Sequence, residues 1–132
     1  MKDYSDIWSL PEVVKYFDKQ RNNFDKLYEG EKFFLDKIIN KQMSVLDIGC
    51  AQGGLYQILK KKYFIKDYLG IDISRNMIEE AKKKYKENLF VHYDGCNYFN
   101  KLKKKYDVVI VFGILHLNKN WHEILINAYK VS

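Results

Sequence analysis

The chain holds one proline, Pro11, and two cysteines, Cys50 and Cys96, in 132 residues. Two cysteines so far apart give no disulfide framework of the kind that staples small secreted domains. Histidine is scarce as well. His92, His116 and His122 stand in no HxxxH or CxxC spacing, so no metal site is expected. No apolar run approaches the ~20 residues that span a bilayer. The N-terminus, "MKDYSDIWSLPE", has acids and a proline where a secretory signal needs a continuous apolar stretch. A cytoplasmic protein without a membrane partner is expected. Arginine is nearly missing too: Arg21 and Arg75 carry all of it, although the net charge is +6. The positive charge comes instead from lysine runs, "KKKY" from Lys60, "KKKYK" from Lys82 and "KLKKKY" from Lys101. Each lies at a predicted helix end, where lysine complements the helix dipole and faces water. Nucleic acid is therefore not the expected partner.

What is present is a core. Hydrophobic residues make up 47% and charged residues 30%, a globular composition at a length that suits one domain. Ser9-Leu-Pro-Glu12 reads as a capping box with proline at the first helical position. Val13, Val14, Phe17, Arg21 and Phe24 continue it at helical spacing. A second helix is predicted over about Glu29 to Asn40, with Phe34, Leu35, Ile38 and Ile39 on its buried face. From there the pattern alternates. "SVLDIG", "DYLGID", "LFVHY" and "YDVVIVF" read as strands. Between and after them, helical spacing marks Leu55–Tyr63, Met77–Tyr85, a short stretch near Tyr98–Lys104, and Asn120–Lys130. The alternation predicts a parallel sheet with helices on both faces.

In such a sheet, ligands bind beyond the C-terminal strand ends. There "VLDIGCAQGG", Val45 to Gly54, runs from a strand into a glycine-rich turn. The glycines let the backbone turn tightly and approach a ligand closely. At the end of the second strand, 19 residues beyond Gly53, stands Asp72, where a carboxylate can accept both hydroxyls of a ribose. Together these features predict an adenosine-containing ligand. A dinucleotide would bring its pyrophosphate close to Asp47, and two like charges at 4 Å repel by about 4 kcal/mol at an effective dielectric near 20. S-adenosylmethionine has no phosphate and carries a sulfonium and an ammonium, which a carboxylate favours.

Asp47-Ile-Gly49-Cys-Ala51-Gln-Gly53 resembles the first motif of the class I S-adenosylmethionine-dependent methyltransferases, with Ala51 in place of the middle glycine. "YLGIDIS" resembles the second motif, which implies Asp72 on the ribose and Ile73 against the adenine. "HYDGC" resembles the third, which implies Asp94, followed by Gly95, at the adenine amino group. "YDVVIVFGILHL" resembles the fourth, which implies Phe112 and Gly113 beside the methionine half. The resemblance covers Met43 to about Tyr129. It implies a Rossmann-like three-layer α/β sandwich with strand order 3-2-1-4, the remaining strands missing, so that the fourth strand is an open edge through which copies could associate. Residues 1–42 would form two helices covering the cofactor, with Tyr16 or Arg21 on its carboxylate. Five positions apart, those two lie on different faces of a straight helix.

The expected reaction is methyl transfer from S-adenosyl-L-methionine to the oxygen or nitrogen of a small acceptor, a metabolite or surface-glycan precursor. His116, after the fourth strand, is the candidate base. The segment Phe112-Gly-Ile-Leu-His116 stands where enzymes that methylate exocyclic base amines carry Asn/Asp-Pro-Pro-aromatic. The alternatives are a non-catalytic or truncated cofactor-binding module that needs a partner, and an RNA methyltransferase of another kind. Cys50, Cys96 and His92 read as packing residues.

Overall fold

The computed structural model describes residues 6–93 and 96–132, the side chains of 96–98 excepted. The elements are α1 (Pro11–Lys19), α2 (Glu29–Ile38), β1 (Ser44–Ile48), α3 (Gly54–Ile58, running on as a π-helical turn over Leu59–Tyr63), β2 (Asp67–Asp72), α4 (Arg75–Lys84), β3 (Phe90–His92), β4 (Val108–Val111) and α5 (Trp121–Lys130). Short 3-10 turns fill several of the connections. The four strands form one sheet in the order β3-β2-β1-β4, and every pairing is parallel. Rossmann-like order and helical flanks agree with the expectation from the strand motifs.

Alternation along β1 divides the core. Val45 faces a cluster with Leu35, Leu59, Tyr68, Ile78 and Phe90, built from α2, α3 and α4. Leu46 and Ile48 face the opposite layer with Ile71, Phe99, Ile124 and Ala128, built from α5 and the turn before β4. The central strands are thus buried on both sides, which is why they read as nearly unbroken apolar runs.

The N-terminal region departs from its pattern. Leu10, not Ser9, is the residue before α1, and no side chain caps it. The Ser9 hydroxyl instead meets that of Ser74 at 3.1 Å. α1 stops at Lys19, short of Phe24: Gln20 is extended and Arg21 adopts a left-handed conformation with φ +52°. The reason lies across the molecule. A Cβ on Gly54, at the start of α3, would stand 2.6 Å from the Arg21 carbonyl oxygen. The bare glycine admits the turning chain, and an uninterrupted helix could not use that seat. α2 buries Leu35 and Ile39 but leaves Phe34 and Ile38 exposed, so only half of its predicted face reaches the core. The third strand is shorter than "LFVHY", because Glu87–Leu89 winds as a 3-10 turn before it. The stretch near Tyr98–Lys104 is likewise a 3-10 turn, Cys96–Lys101. Lys84 also departs from the solvated pattern, pairing with Asp18 and donating to Gln52 Oε1 at 2.7 Å.

Candidate functional site

The glycine turn opens onto a cleft of about 610 Å³ at the C-terminal ends of β1, β2 and β4, a volume typical of small-ligand sites. Its floor is the turn itself. Gly49 and Gly53 have φ near +80° and Ala51 also lies at positive φ. A Cβ on Gly49 would come 2.6 Å from Ile114 Cγ2, so glycine here serves the chain reversal and the close approach of the segment after β4. Gly53 precedes α3 at its N-terminus.

Two carboxylates stand at adjacent strand ends on either side of this turn. Asp47 is only 2% exposed. Its Oδ2 accepts a hydrogen bond from the Tyr68 hydroxyl at 2.8 Å. Tyr68 pairs with Val45 and Gly70 pairs with Asp47, so the phenol reaches diagonally over a glycine to the acid. Burial pushes the Asp47 carboxyl up to about 7, with Asp72 adding to the rise, while Tyr68 and the Arg21 charge oppose it. Burial and the Asp47 charge push the Tyr68 phenol well above its ordinary value, which keeps it a donor. Asp72 ends β2. Its Oδ2 accepts from Ala51 N–H at 2.9 Å and its Oδ1 from Ser74 N–H at 2.8 Å. Burial raises its pKa against those two backbone bonds. Each oxygen keeps a second lone pair for a ligand hydroxyl.

Gly49, Ala51, Asp72, Ile73, Phe112 and Arg21 all border this cleft with Asp47. Ile73 is half exposed, and its carbonyl accepts from His92 Nε2 at 2.9 Å, a positioning contact for a residue read as packing. Asp94 and Gly95 lie outside the described residues. Three predicted residues are elsewhere. Gly53 does not border the cleft; a Cβ on it would meet Phe90 at 2.7 Å and Tyr85 at 3.1 Å. Tyr16 is 60% exposed and packs edge-on to Phe17. Phe17, one position on, borders the cleft in its place, as the helix rotation dictates. His116 is exposed within the 3-10 turn Leu115–Leu117. Ile114 and Leu117, three apart, border the cleft on either side of it, and His116 does not. Cys50 is a buried filler whose thiol burial drives well above its ordinary value. Among the described residues no cluster could hold a metal ion, and no helix is long and apolar enough to cross a membrane.

Sequence reading missed three contributors. Trp8 borders the cleft, and its carbonyl accepts from Ser74 Oγ at 3.1 Å. Gln52 is buried and its amide donates to the Val14 carbonyl of α1, binding the glycine turn to the N-terminal helix. Tyr68 holds Asp47. A tyrosine two positions before a strand glycine was the one available signal.

A parallel sheet of this order, with a glycine turn after β1 and an acid at the end of β2, defines a Rossmann-like nucleoside-binding protein. Residues 46–131 match the methyltransferase domain family, and the chain belongs to the class I S-adenosylmethionine-dependent methyltransferases. It is 27% identical over 126 residues to malonyl-[acyl-carrier protein] O-methyltransferase of Priestia megaterium, an alignment covering 89% of this chain and 46% of that protein. The plantazolicin methyltransferase BpumL, in complex with a monoazolic desmethylPZN analog and SAH, superposes with a TM-score of 0.68 at 25% identity, over 96% of this chain and 52% of that one. Magnesium protoporphyrin IX methyltransferase (ChlM) from Synechocystis PCC 6803, with bound SAM, has a TM-score of 0.64 at 19% identity over 100% and 73% of the two chains, a likeness of fold alone. The chain spans less than half the length of the curated relatives it matches.

Proposed function

We propose that the cleft binds S-adenosylmethionine and that the protein transfers its methyl group to a small-molecule acceptor. One observation carries the reading: Asp47 and Asp72 flank the glycine turn, with the Arg21 charge acting on Asp47. That arrangement suits a ligand with a ribose at one end and positive charge at the other, and it disfavours a pyrophosphate between them. The bound cofactor supplies a methyl group activated on a sulfonium. The residues of the chain bind, orient and exclude water. Asp72 holds the ribose, Ile73 packs on the adenine, and Phe112 borders the methionine half. The segment from Trp8 to Asn22 covers the cofactor. The acceptor enters between that segment and the loop Leu117–Asn120, both of which border the cleft. Catalysis rests on holding donor and acceptor in line, without a covalent intermediate on the enzyme. The small-acceptor reading draws on relatives named for malonyl-[acyl-carrier protein] and plantazolicin methylation.

Titration calorimetry with S-adenosylmethionine, S-adenosylhomocysteine and NAD tests the proposal. Both sulfur nucleosides should bind and NAD should not. NAD binding without a response to either sulfur compound would refute it.

A further inference from the structure

Arg21 is held at three points. Its backbone carbonyl sits against Gly54, as described above. Its Nη2 donates to Glu31 Oε1 at 2.5 Å. Its guanidinium carbon lies 5.8 Å from the centre of the Phe112 ring. Glu31 is itself fixed at both oxygens, because Oε2 accepts from the Tyr28 N–H at 3.1 Å at the start of α2. The two side chains are largely covered, 28% exposed for Arg21 and 13% for Glu31.

An arginine bordering the same cleft as a buried carboxylate is attracted to it, and the attraction grows as water is excluded. The Arg21 charge acts on Asp47, yet the carboxylate that the guanidinium pairs with is Glu31. Glu31 competes for the guanidinium and takes one prong of its fork. Arg21 and Asp47 nevertheless border one cleft, and Asp47 accepts from the Tyr68 hydroxyl. A ligand with ammonium and carboxylate on one carbon complements such a separated pair, with the ammonium toward Asp47 and the carboxylate toward Arg21. Arginine suits the second task because its planar fork can bind two carboxylates along different edges.

We propose that Glu31 is a positioning residue that keeps Arg21 off Asp47, so that the separated pair reads the zwitterionic amino-acid end of the cofactor. This rests on the cofactor reading above. Calorimetry with two ligands separates them: S-adenosylhomocysteine, and 5′-methylthioadenosine, which keeps the nucleoside and thioether but lacks the amino-acid carbon. The wild type should prefer S-adenosylhomocysteine. Glu31→Gln should weaken it roughly tenfold, the scale of one charge-assisted contact, and leave 5′-methylthioadenosine within about twofold. In an Arg21→Ala background, Glu31→Gln should have no further effect, since its action runs through Arg21. Arg21→Lys, which keeps the charge and loses the fork, should show the same selective loss and serves as a second variant if Glu31→Gln folds poorly. Equal weakening of both ligands, unchanged S-adenosylhomocysteine binding, or an undiminished Glu31→Gln effect without Arg21 would overturn the proposal. A wild type that binds both nucleosides equally would overturn it while the cofactor cleft stands. A wild type that binds neither would overturn both.

Discussion

Replacing Asp47 by asparagine should stabilise the ligand-free protein above pH 7 while weakening its hold on the cofactor. The fold raises the Asp47 carboxyl from 3.8 to about 7, chiefly by burial. At about 1.4 kcal/mol per pH unit, keeping this group charged in the fold costs about 4 kcal/mol. The sign follows from proton binding. Between pH 3.8 and about 7 the unfolded chain has lost this proton and the folded chain keeps it, so stability falls with rising pH across that window and then levels. Asparagine has no such charge to bury and can still accept from the Tyr68 hydroxyl. Asp72, also shifted upward, is present in both proteins and largely cancels in the difference. Urea or thermal denaturation at pH 4 and pH 8 should therefore show near-equal stabilities at pH 4. At pH 8 the variant should be ahead by as much as about 4 kcal/mol, roughly 14 °C in Tm for a domain of this size. Cofactor affinity should fall about tenfold or more, because the partner of its positive charge is gone. A variant that is no more stable at pH 8 than the wild type, or equally stabilised at both pH values, would refute the reasoning.

Tyr68→Phe removes the recorded donor to the buried Asp47 carboxylate and should destabilise by about 1–3 kcal/mol at pH 8. The loss should be smaller at pH 5, where Asp47 holds its own proton, and urea midpoints at the two pH values would show it. Gly54→Ala should displace the Arg21 turn, since its Cβ would meet the Arg21 carbonyl at 2.6 Å. About 1–3 kcal/mol of stability and most of the preference for S-adenosylhomocysteine over 5′-methylthioadenosine should go with it, by denaturation and calorimetry. His116→Ala should leave cofactor affinity and turnover within about twofold, because the side chain is exposed and outside the cleft; a large fall in turnover alone would restore it as a base. β4 pairs only with β1 among the described residues, and light scattering over a range of concentrations should detect association through its free side.

The sequence by itself determined the order of elements, the parallel sheet and the floor of the cleft. These rest on short-range physics: two-residue alternation, apolar runs buried on both faces, and glycines where the chain must reverse at positive φ. Asp47, Gly49, Ala51 and Asp72 were legible because strand ends in such a sheet converge on one place. The roof was not. Residues 17 to 24 keep helical spacing, and nothing local announces that α1 ends at Lys19 or that Arg21 turns left-handed. That turn is seated against Gly54, 33 positions away. The choice of Phe17 over Tyr16, and of Leu117 over His116, followed from the rotation of a helix and of a 3-10 turn against the sheet, and a shift of one residue reverses inside and outside. The bond from Tyr68 to Asp47 needed the register of β1 against β2, which places the phenol beside Gly70. Local patterns specify which segments are strands and turns, whereas the partners of each polar group depend on surfaces that meet only after the chain has packed.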